Sequence, residues 1–480
     1  MLLVDERERL GMGTQTHRTE VAIVGGGPVG MAMAAELALL GVDTVVIEIR
    51  TETDERPRAG TVHARSLSHL ARRGYIPSRR PDEITRGEGR FVSTPFQFAA
   101  QPVLTITAPA VEPAPIAGIP QARLEAAFEH RARGLGATVL RGHTVREITD
   151  IGERFRLDLA TAAPDGVEAV DARWVIGADG ARSVVADHGD FGTHTYPATM
   201  NALAGLARAD HPGPPPGWNA TPTGWTLHNP NPGGKARIIA MDFSGPLAVR
   251  DTPDPQEYLQ RLGAVLGAPP ELDEISHLTR FSDHGRHRTR MRDGRMMLIG
   301  DAAHVHYPLG GQGLNTGMQD AFTLGWRLAA VVDDTADPSV LDEWSRERVH
   351  VAEVVVANTV VQSRMMNPGS TDLRDAVVAM LSVPGLHDAL ADVISGQFQP
   401  GFQTDLVITA DDGTVTTLAE LLTRGTFVGI APDSATPLPG AIGTAGSRHP
   451  EVTVVHGKVT PEQPWVSALI RPDGYLAATH

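Results

Sequence analysis

Three glycines and one acid near the N-terminus have the types and the spacing that bind a dinucleotide. They form the pattern Gly25-x-Gly27-x-x-Gly30, and Glu48 ends the apolar run that follows. In such a pattern one glycine makes a tight turn, the second lets a pyrophosphate approach the backbone, and the third lets helix and strand pack closely. The pyrophosphate lies at a helix N-terminus, where free N–H groups favour an anion, and the acid accepts from a ribose hydroxyl. The segment therefore predicts a dinucleotide-binding site.

Two later pairs of glycine and aspartate indicate that this dinucleotide is FAD. Asp179-Gly180 and Gly300-Asp301 each follow an apolar run that is typical of a strand. Asp301 is placed to accept hydrogen bonds from a polyol chain, as a ribityl would offer. The glycine-rich segment Pro308–Asn315 lets the backbone approach a flat ring, and the helix after it would direct its N-terminus at that ring. Such a terminus stabilises the negative charge of a reduced flavin by roughly 0.3 to 2 kcal/mol.

A parallel sheet is needed to position these motifs, and the sequence supplies its first unit. Glu20–Val24 is typical of a strand, Met31–Leu40 of a helix that Gly41 ends, and Thr44–Ile47 of a second strand. A strand, a helix and a strand in this order imply a right-handed crossover in a parallel sheet. We therefore predict an α/β protein with a Rossmann-like FAD-binding domain.

The rest of the chain divides by composition into further layers. Residues 191–285 are rich in Pro, Gly and isolated apolar runs, which predicts a β-sheet substrate layer. Regularly spaced short strands follow residue 400 and predict a small α/β domain. The predicted boundaries are a flexible N-terminal extension over residues 1–19, an FAD-binding domain over 20–190 and 286–398 with 81–120 partly in the substrate layer, the substrate-binding β layer over 191–285, and the last domain over 399–480.

The composition excludes several classes of function. The 480 residues contain 42 Lys and Arg against 57 Asp and Glu, a formal charge of −15, so we expect no basic face for nucleic acid. The absence of cysteine excludes disulfides, iron–sulfur clusters, thiolate zinc sites and cysteine nucleophiles. No apolar run reaches the roughly 18 residues of a membrane span, and the N-terminus lacks the apolar core of a signal peptide. We therefore expect no membrane partner and a cytoplasmic location.

The order and the separation of these motifs resemble the class A flavoprotein monooxygenases of the p-hydroxybenzoate hydroxylase type. The resemblance covers roughly residues 20–360, and the chain looks most like the hydroxylases that tailor aromatic polyketides in antibiotic biosynthesis. Those enzymes carry a C-terminal thioredoxin-like domain, which the resemblance places at 399–480; without cysteines it cannot be redox-active. The resemblance also implies FAD contacts by Arg58, by Gln121 and by the backbone of Val145. The predicted cofactor-binding residues are Gly25, Gly27, Pro28, Val29, Gly30, Glu48, Arg58, Gln121, Val145, Asp179, Gly180, Gly300, Asp301, Pro308, Gly313, Leu314 and Asn315.

The activity that this resemblance implies is an FAD-dependent, NAD(P)H-consuming monooxygenation. FAD, bound non-covalently, would use NADPH or NADH and O2 to hydroxylate a polycyclic, polyketide-type phenol through a flavin hydroperoxide. Because the flavin carries the chemistry, no protein nucleophile is named, and the candidate pocket residues are Trp225, His228 and Pro308. Baeyer–Villiger oxygen insertion on the same fold, or a non-catalytic flavin- or ligand-binding partner protein, are the alternatives. The substrate, the regiochemistry, the choice of NADH or NADPH and the oligomeric state, with a homodimer as one option, stay open.

Other polar clusters carry weaker signals. His304 and His306 have the chemistry of metal ligands, but no acids recur at ligand spacing, so we predict no metal and expect solvated loop histidines. Asp342, Glu347 and Arg348 are expected on the exposed, charged face of a helix.

Overall fold

The computed structural model describes residues 15–56, 58–161, 167–208, 214–230, 234–247, 251–439 and 451–480. Most of the predicted N-terminal extension, residues 1–14, lies outside them. The first strand begins at Gln15, and its residues from Thr16 to Thr19 pair with a parallel neighbour. The prediction of a flexible extension to residue 19 is therefore too long, because polar residues can extend a strand when the partner strand is itself long.

The described part of residues 15–190 builds the main sheet and the helices that cover it. The helices are α1 (Pro28–Leu39), α2 (Ala64–Arg72), α3 (Pro81–Gly87), α4 (Gln121–Gly134) and α5 (Val184–His188). The strands are β1 (Gln15–Val24), β2 (Thr44–Glu48), β3 (Thr61–His63), β4 (Phe91–Phe98), β5 (Gln101–Pro109), β6 (Ile116–Gly118), β7 (Thr138–Arg141), β8 (His143–Asp150), β9 (Phe155–Thr161) and β10 (Val167–Gly177). β10, β1, β2 and β7 lie side by side and parallel, as the predicted strand–helix–strand unit requires. The N-terminus of α1 therefore lies at the carboxyl edge of this sheet, where such sheets bind ligands.

A second, antiparallel sheet forms the predicted substrate layer. The strands of this part are β11 (His194–Tyr196), β12 (Asn201–Arg208), β13 (Gly217–Ala220), β14 (Gly224–Pro230), β15 (Ala236–Asp242), β16 (Asp273–Ser282), β17 (Gly285–His287), β18 (Arg292–Asp293), β19 (Met296–Leu298) and β20 (His304–Val305). The substrate sheet has the order β13-β14-β15-β12-β16, and β19 returns to the main sheet beside β10. The helices are α6 (Pro255–Leu266), α7 (Gln312–Val332), α8 (Ser339–Met366), α9 (Thr371–Met380) and α10 (Pro384–Ser395).

The two faces of the substrate sheet have different partners because side chains alternate along each strand. Leu203 and Ile238 point to one face and pack on Tyr258 of α6. Met241 and Trp225 point to the other face, towards the end of α8 and the hairpin of β4 and β5. This second face is the one that looks towards the FAD-binding domain.

The C-terminal residues form a thioredoxin-like domain. Its elements are β21 (Val407–Thr409), β22 (Val415–Thr417), α11 (Leu418–Leu422), β23 (Phe427–Ala431), β24 (Val452–His456), β25 (Lys458–Thr460), β26 (Ala468–Ile470) and β27 (Leu476–Thr479). The central sheet has the order β24-β23-β26-β27, with β23 parallel to β24 and the other pairs antiparallel. This order and these directions are those of a thioredoxin-like sheet.

The C-terminal domain is held to α2 through buried guanidinium groups. Arg72 donates to the carbonyl oxygen of Gln403 at 2.6 Å, and Arg73 donates to that of Leu422 at 2.7 Å. Trp326 of α7 completes the contact by packing on the same domain. Within the described residues, no single helix has both the length and the apolar content to cross a membrane, although α9 and α10 reach that content together as a pair bent by 106°.

Candidate flavin site

The glycine turn before α1 leaves an open cradle in front of the helix. Gly25 has φ of +103°, and a Cβ there would lie 2.4 Å from the carbonyl oxygen of Ala178. A Cβ on Gly30 would lie 1.9 Å from the carbonyl oxygen of Gly25, so this residue must be glycine for helix and strand to pack. A Cβ on Gly27, by contrast, would meet no described atom within 4 Å. The space in front of Gly27 is therefore open to a ligand rather than filled by the protein.

The first turn of α1 presents free amides to this cradle. Gly27 is the N-cap residue and has no side chain that could cap them, and the first turn contains no acid. Pro28 follows at the first helical position, where its missing N–H is no loss. The amides of Val29 and Gly30 are therefore left to an anion, which the helix dipole also favours.

Glu48 lies next to the cradle in a fixed orientation. It is 5% exposed, and its Oε2 accepts from the amide of Gly26 at 2.6 Å. Its Oε1 accepts from the amide of Arg50 at 2.8 Å. Each carboxylate oxygen keeps a further lone pair, so Glu48 can accept from a ribose hydroxyl without losing these anchors.

The second glycine-rich loop forms the start of α7. Gly310 and Gly311 have φ of +71° and +66°, a conformation that favours glycine, and Gly311 caps α7 without a side chain. His63 Nε2 donates to the carbonyl oxygen of Gly310 at 2.6 Å. Burial lowers the pKa of His63 to about 4, so the ring is neutral and carries its proton on Nε2. His63 thus holds the loop in place from β3.

Val29 connects the glycine turn before α1 with the turn at Gly300 and with α7. A Cβ on Gly317 of α7 would lie 2.6 Å from Val29 Cγ2, and one on Gly300 would lie 3.2 Å from Val29 Cγ1. The glycines therefore admit the valine as a wedge between α1, α7 and the turn at Gly300. As a result the first turn of α1 packs against the second turn of α7, with Val29 between them.

Asp301 and His306 face the start of α7 from the neighbouring loop. Asp301 is exposed, with its Oδ1 4.0 Å from the place of a Cβ on Gly313, and His306 Nε2 is 3.3 Å from the same point. His306 Nε2 is shielded from solvent, yet it has no hydrogen-bond partner among the described residues. Burial lowers the pKa of His306, which keeps the ring neutral. Because Nδ1 donates to the carbonyl oxygen of Tyr307 at 2.9 Å, Nε2 is an acceptor, and it fits a hydroxyl group of a bound polyol.

A buried ion pair fixes the turn that carries Asp301. Asp320 Oδ2 accepts from the amide of Gly300 at 3.0 Å and lies 2.7 Å from His304 Nε2. Arg348 Nε donates to Asp320 Oδ1 at 2.6 Å. Burial opposes ionisation of Asp320, but Arg348 and His304 outweigh it and hold the pKa of this carboxyl below its usual value.

Two predictions about these residues are wrong. His304 is 1% exposed and Arg348 is fully buried, whereas the sequence favoured a solvated loop and an exposed helix face. The reason is that Asp320, buried on α7, needs compensating partners from distant segments.

The positions of the Asp179 turn and of Asn315 add detail to the site. Asp179 Oδ2 accepts from the amide of Val184 at 2.7 Å, while its buried Oδ1 has no partner in the described chain. Burial raises the pKa of Asp179. Gly180 follows at φ of +81°. The side-chain amide of Asn315 is bonded within the protein, because Nδ2 donates to the carbonyl oxygens of Thr61 and Gly311 at 2.9 and 2.8 Å.

A profile of the FAD binding domain family matches residues 18–359. The chain belongs to this FAD-binding family. It is 30% identical to the uncharacterized aromatic compound monooxygenase YhjG of Bacillus subtilis, over 95% of this chain and 93% of that protein. It is 31% identical to the dialkyldecalin synthase of Streptomyces rugosporus, over 95% of each chain. Among solved structures, the OxyS anhydrotetracycline hydroxylase of Streptomyces rimosus matches with a TM-score of 0.83 and 28% identity, over 96% of this chain and 95% of that one.

These matches confirm the resemblance to aromatic hydroxylases that the motifs indicated. The FAD-binding chain is an FAD-dependent monooxygenase, and the fold likeness extends through the thioredoxin-like domain. FAD fits the open cradle at Gly27, the free amides of α1 and the unpartnered Nε2 of His306.

The other predicted FAD contacts have different surroundings, because the Arg58 side chain is exposed whereas Val145 is buried in the core of the FAD-binding domain. Arg58 pairs with Asp54 at 2.9 Å. Gln121 begins α4, half-buried. Val145 lies on β8 where the register with β9 shifts. Their cofactor roles stay predictions.

The three pocket candidates differ in what surrounds them. Trp225 is buried, and its Nε1 donates to the carbonyl oxygen of Met366 at 2.6 Å. His228 lies further along the same strand, with Nδ1 2.5 Å from the carbonyl oxygen of Pro214. Pro308 is exposed at the start of the α7 loop, so of the three it has the freest surface.

Sequence reasoning missed the residues that support the site from behind. His63 carried no motif, and Asp320 lies inside a helix that reads as an ordinary core helix. A buried acid on an apolar helix face was the one available signal for Asp320, because such an acid needs a cationic partner.

Proposed function

We propose that the enzyme hydroxylates a phenolic, polycyclic aromatic substrate of the polyketide type with NADPH or NADH and O2. The observation that carries the proposal is that the flavin site lies next to the apolar face of the substrate sheet. The first turn of α1 packs on α7 through Val29, and Tyr307 and Leu309, at the start of the loop before α7, pack into the apolar face of the substrate sheet. A flat aromatic ligand on that face would lie beside the loop that the flavin ring needs.

The chain's own residues would hold and orient the cofactor. The amides of Val29 and Gly30 would bind the pyrophosphate, Glu48 a ribose hydroxyl, and Asp301 with His306 the polyol chain. The positive end of α7 would stabilise negative charge on the ring. When bound, FAD supplies the electron transfer and the activation of O2 that side chains cannot provide.

The substrate face supplies apolar contact and excludes water. Trp225, Met241 and Leu309 belong to one buried apolar cluster with Tyr307. Tyr307 donates its hydroxyl proton to Met241 Sδ at 2.8 Å, and burial raises the pKa of Tyr307 well above its usual value. Tyr307 therefore keeps its proton and would form an apolar wall of the substrate site rather than a base for the phenol.

A second candidate function is a ring-forming reaction without net oxidation. It is supported by the similarity to the dialkyldecalin synthase over 95% of each chain. In that case the same apolar face would hold a flexible substrate in a folded conformation, and the bound flavin would have a structural role only. Baeyer–Villiger oxygen insertion needs the same flavin site and differs only in the substrate group that is attacked.

The deciding experiment follows oxygen into the product. Purified FAD-loaded enzyme is incubated with a panel of polycyclic phenols and, for the ring-forming alternative, of flexible open-chain polyenes, together with NADPH or NADH and ¹⁸O₂, and the products are analysed by mass spectrometry. We expect substrate-dependent NAD(P)H consumption and one ¹⁸O atom in a new hydroxyl group. A new ester or lactone would indicate Baeyer–Villiger insertion, and an isomer of the substrate formed without NAD(P)H would indicate the ring-forming reaction.

A further inference from the structure

A small cationic cavity lies between the FAD-binding domain and the substrate sheet. Its volume is about 180 Å³, and it is lined by Arg56 and Arg58 from the loop after β2 and by Arg237, His277 and Thr279 from the sheet. A whole drug-sized ligand needs roughly 300 to 1,000 Å³. The cavity therefore suits one small group of a larger molecule that extends outside it.

The ion pairs beside the cavity are unbalanced. The loop carries the acids Glu52 and Glu55, which are exposed and form no ion pair among the described residues. The carboxylate that the arginines share is Asp54, and Arg56 binds it with two hydrogen bonds of 2.6 and 2.5 Å. Arg58 and Arg50 lie 2.9 and 3.5 Å from the same carboxylate. Arg56, and then Arg58, hold the pKa of Asp54 far below its usual value, although burial opposes this. One negative charge thus serves three guanidinium groups.

Arg237 adds a further positive charge from the sheet side. Its Nη1 donates to the carbonyl oxygen of Arg58 at 3.0 Å, and no carboxylate of the described residues pairs with it. Burial, and then the charge of Arg58, lower the pKa of Arg237, which means that the two cations repel each other. An anion in the cavity would relieve this repulsion, and guanidinium groups bind phosphate and carboxylate oxygens in pairs.

The position of Arg237 connects the cavity to the substrate face. Arg237 and Met241 lie four positions apart on the same strand and point to the same face, because side chains alternate along a strand. At about 3.3 Å per residue the two are roughly 13 Å apart. One face of the sheet is therefore apolar beside the α7 loop and cationic at its other end.

We propose that Arg56, Arg58 and Arg237 form an oxyanion-binding site for a reactant of the monooxygenase. The anion is a phosphate of the nicotinamide dinucleotide or a carboxylate of an acidic aromatic substrate. The choice of reactants rests on the proposed function, whereas the site itself rests on the charges and the cavity.

The test uses the FAD-loaded, oxidised enzyme and needs no turnover. Binding of 2′,5′-ADP and of benzoate-type polycyclic acids is measured by calorimetry for the wild type, Arg237→Gln and Arg56→Gln. Arg237→Lys keeps the charge, and Arg290→Gln removes an exposed arginine from another part of the surface, where it pairs with Asp190. Thermal melting and FAD content are recorded for every variant.

We expect Arg237→Gln to weaken binding of one probe by ~10-fold or more, the effect of losing one charge-assisted contact. Arg237→Lys should restore part of the affinity, and Arg290→Gln should not change it. Loss of 2′,5′-ADP binding identifies the dinucleotide, and loss of the acid alone identifies the substrate. Unchanged binding of both probes in Arg237→Gln and Arg56→Gln, or loss of FAD with either variant, would overturn the proposal. Probe binding without oxygen transfer would leave this site standing and would refute the proposed function instead.

Discussion

Substitution of Gly27 by alanine should change the affinity for FAD while leaving the stability of the apoprotein nearly unchanged. Gly27 has φ of −70° and ψ of −178°, which any residue can adopt, and its Cβ would meet no described atom within 4 Å. Loss of chain entropy in the unfolded state should stabilise the variant by about 0.4–1 kcal/mol. Alanine is a poorer N-cap than glycine by a similar amount, so the two effects offset each other. We expect the stability of the apoprotein to change by less than about 1 kcal/mol.

The same methyl group should weaken FAD binding strongly. It occupies the space in front of α1, where a pyrophosphate must approach the free amides of Val29 and Gly30. Displacing the phosphate costs at least one charge-assisted hydrogen bond, worth about 1.5–3 kcal/mol. At ~1.4 kcal/mol per factor of ten, the dissociation constant of FAD should rise roughly 10- to 150-fold.

The assay titrates apoprotein with FAD by fluorescence quenching and records the melting of the apoprotein beside it. Gly385→Ala, at the start of α10, is the matched control, because a Cβ there also meets no described atom. Gly30→Ala should instead damage the fold, since its Cβ would lie 1.9 Å from a carbonyl oxygen. Wild-type FAD affinity in Gly27→Ala would refute the assignment of the cradle.

Three further outcomes can be measured on the same protein. Glu48→Ala should weaken the binding free energy of FAD by roughly 1 to 3 kcal/mol in the same titration. An unchanged affinity would show that Glu48 binds only the backbone amides of Gly26 and Arg50. Asp301→Ala should divert NAD(P)H electrons to hydrogen peroxide, measured by a peroxide assay, and full coupling would exclude a role in placing the flavin. Burial, together with the charge of Glu112, raises the pKa of Asp405 to about 7. The folded state therefore holds a proton that the unfolded state releases near pH 4. The free energy of unfolding should fall as the pH rises from about 4 to 7. Asp405→Asn should flatten that part of the curve of melting temperature against pH, and parallel curves for variant and wild type would contradict the shift.

The sequence was most informative where the chemistry depends on neighbours in the chain. The turn from Gly25 to Gly30 and the acid at Glu48 belong to one strand–helix–strand unit, so their spacing alone predicts how they meet. The same holds for Gly310 and Gly311, because a glycine-rich loop predicts residues with positive φ angles.

The contacts that hold these loops come from distant segments, and spacing could not predict them. Asn315 donates to the carbonyl oxygen of Thr61, and His63 donates to that of Gly310. These pairs form only after β3 has packed beside α7. A residue without a motif of its own, such as His63, gives no sign of such a role in the sequence.

The thioredoxin-like domain supports the flavin site through α7. Trp326 Nε1 on that helix donates to Asp473 Oδ2 at 3.0 Å. Although burial opposes it, the charges of Arg471 and Arg327 lower the pKa of Asp473 to about 2, so the carboxylate stays ionised. The start of α7 faces the cofactor cradle while its later turns are fixed by this buried pair, so one helix connects the site to the domain.

This arrangement explains why the C-terminal domain can do without cysteines. The guanidinium groups of Arg72 and Arg73 are buried and donate to its backbone carbonyl oxygens. The charges of these arginines would stay paired with Glu112 and Glu36 without the domain, but loss of the carbonyl acceptors would remove one buried hydrogen bond from each, at a cost of about 1–3 kcal/mol per unsatisfied donor. The domain therefore packs on α2 and α7 through buried groups, and we expect its contribution to be structural.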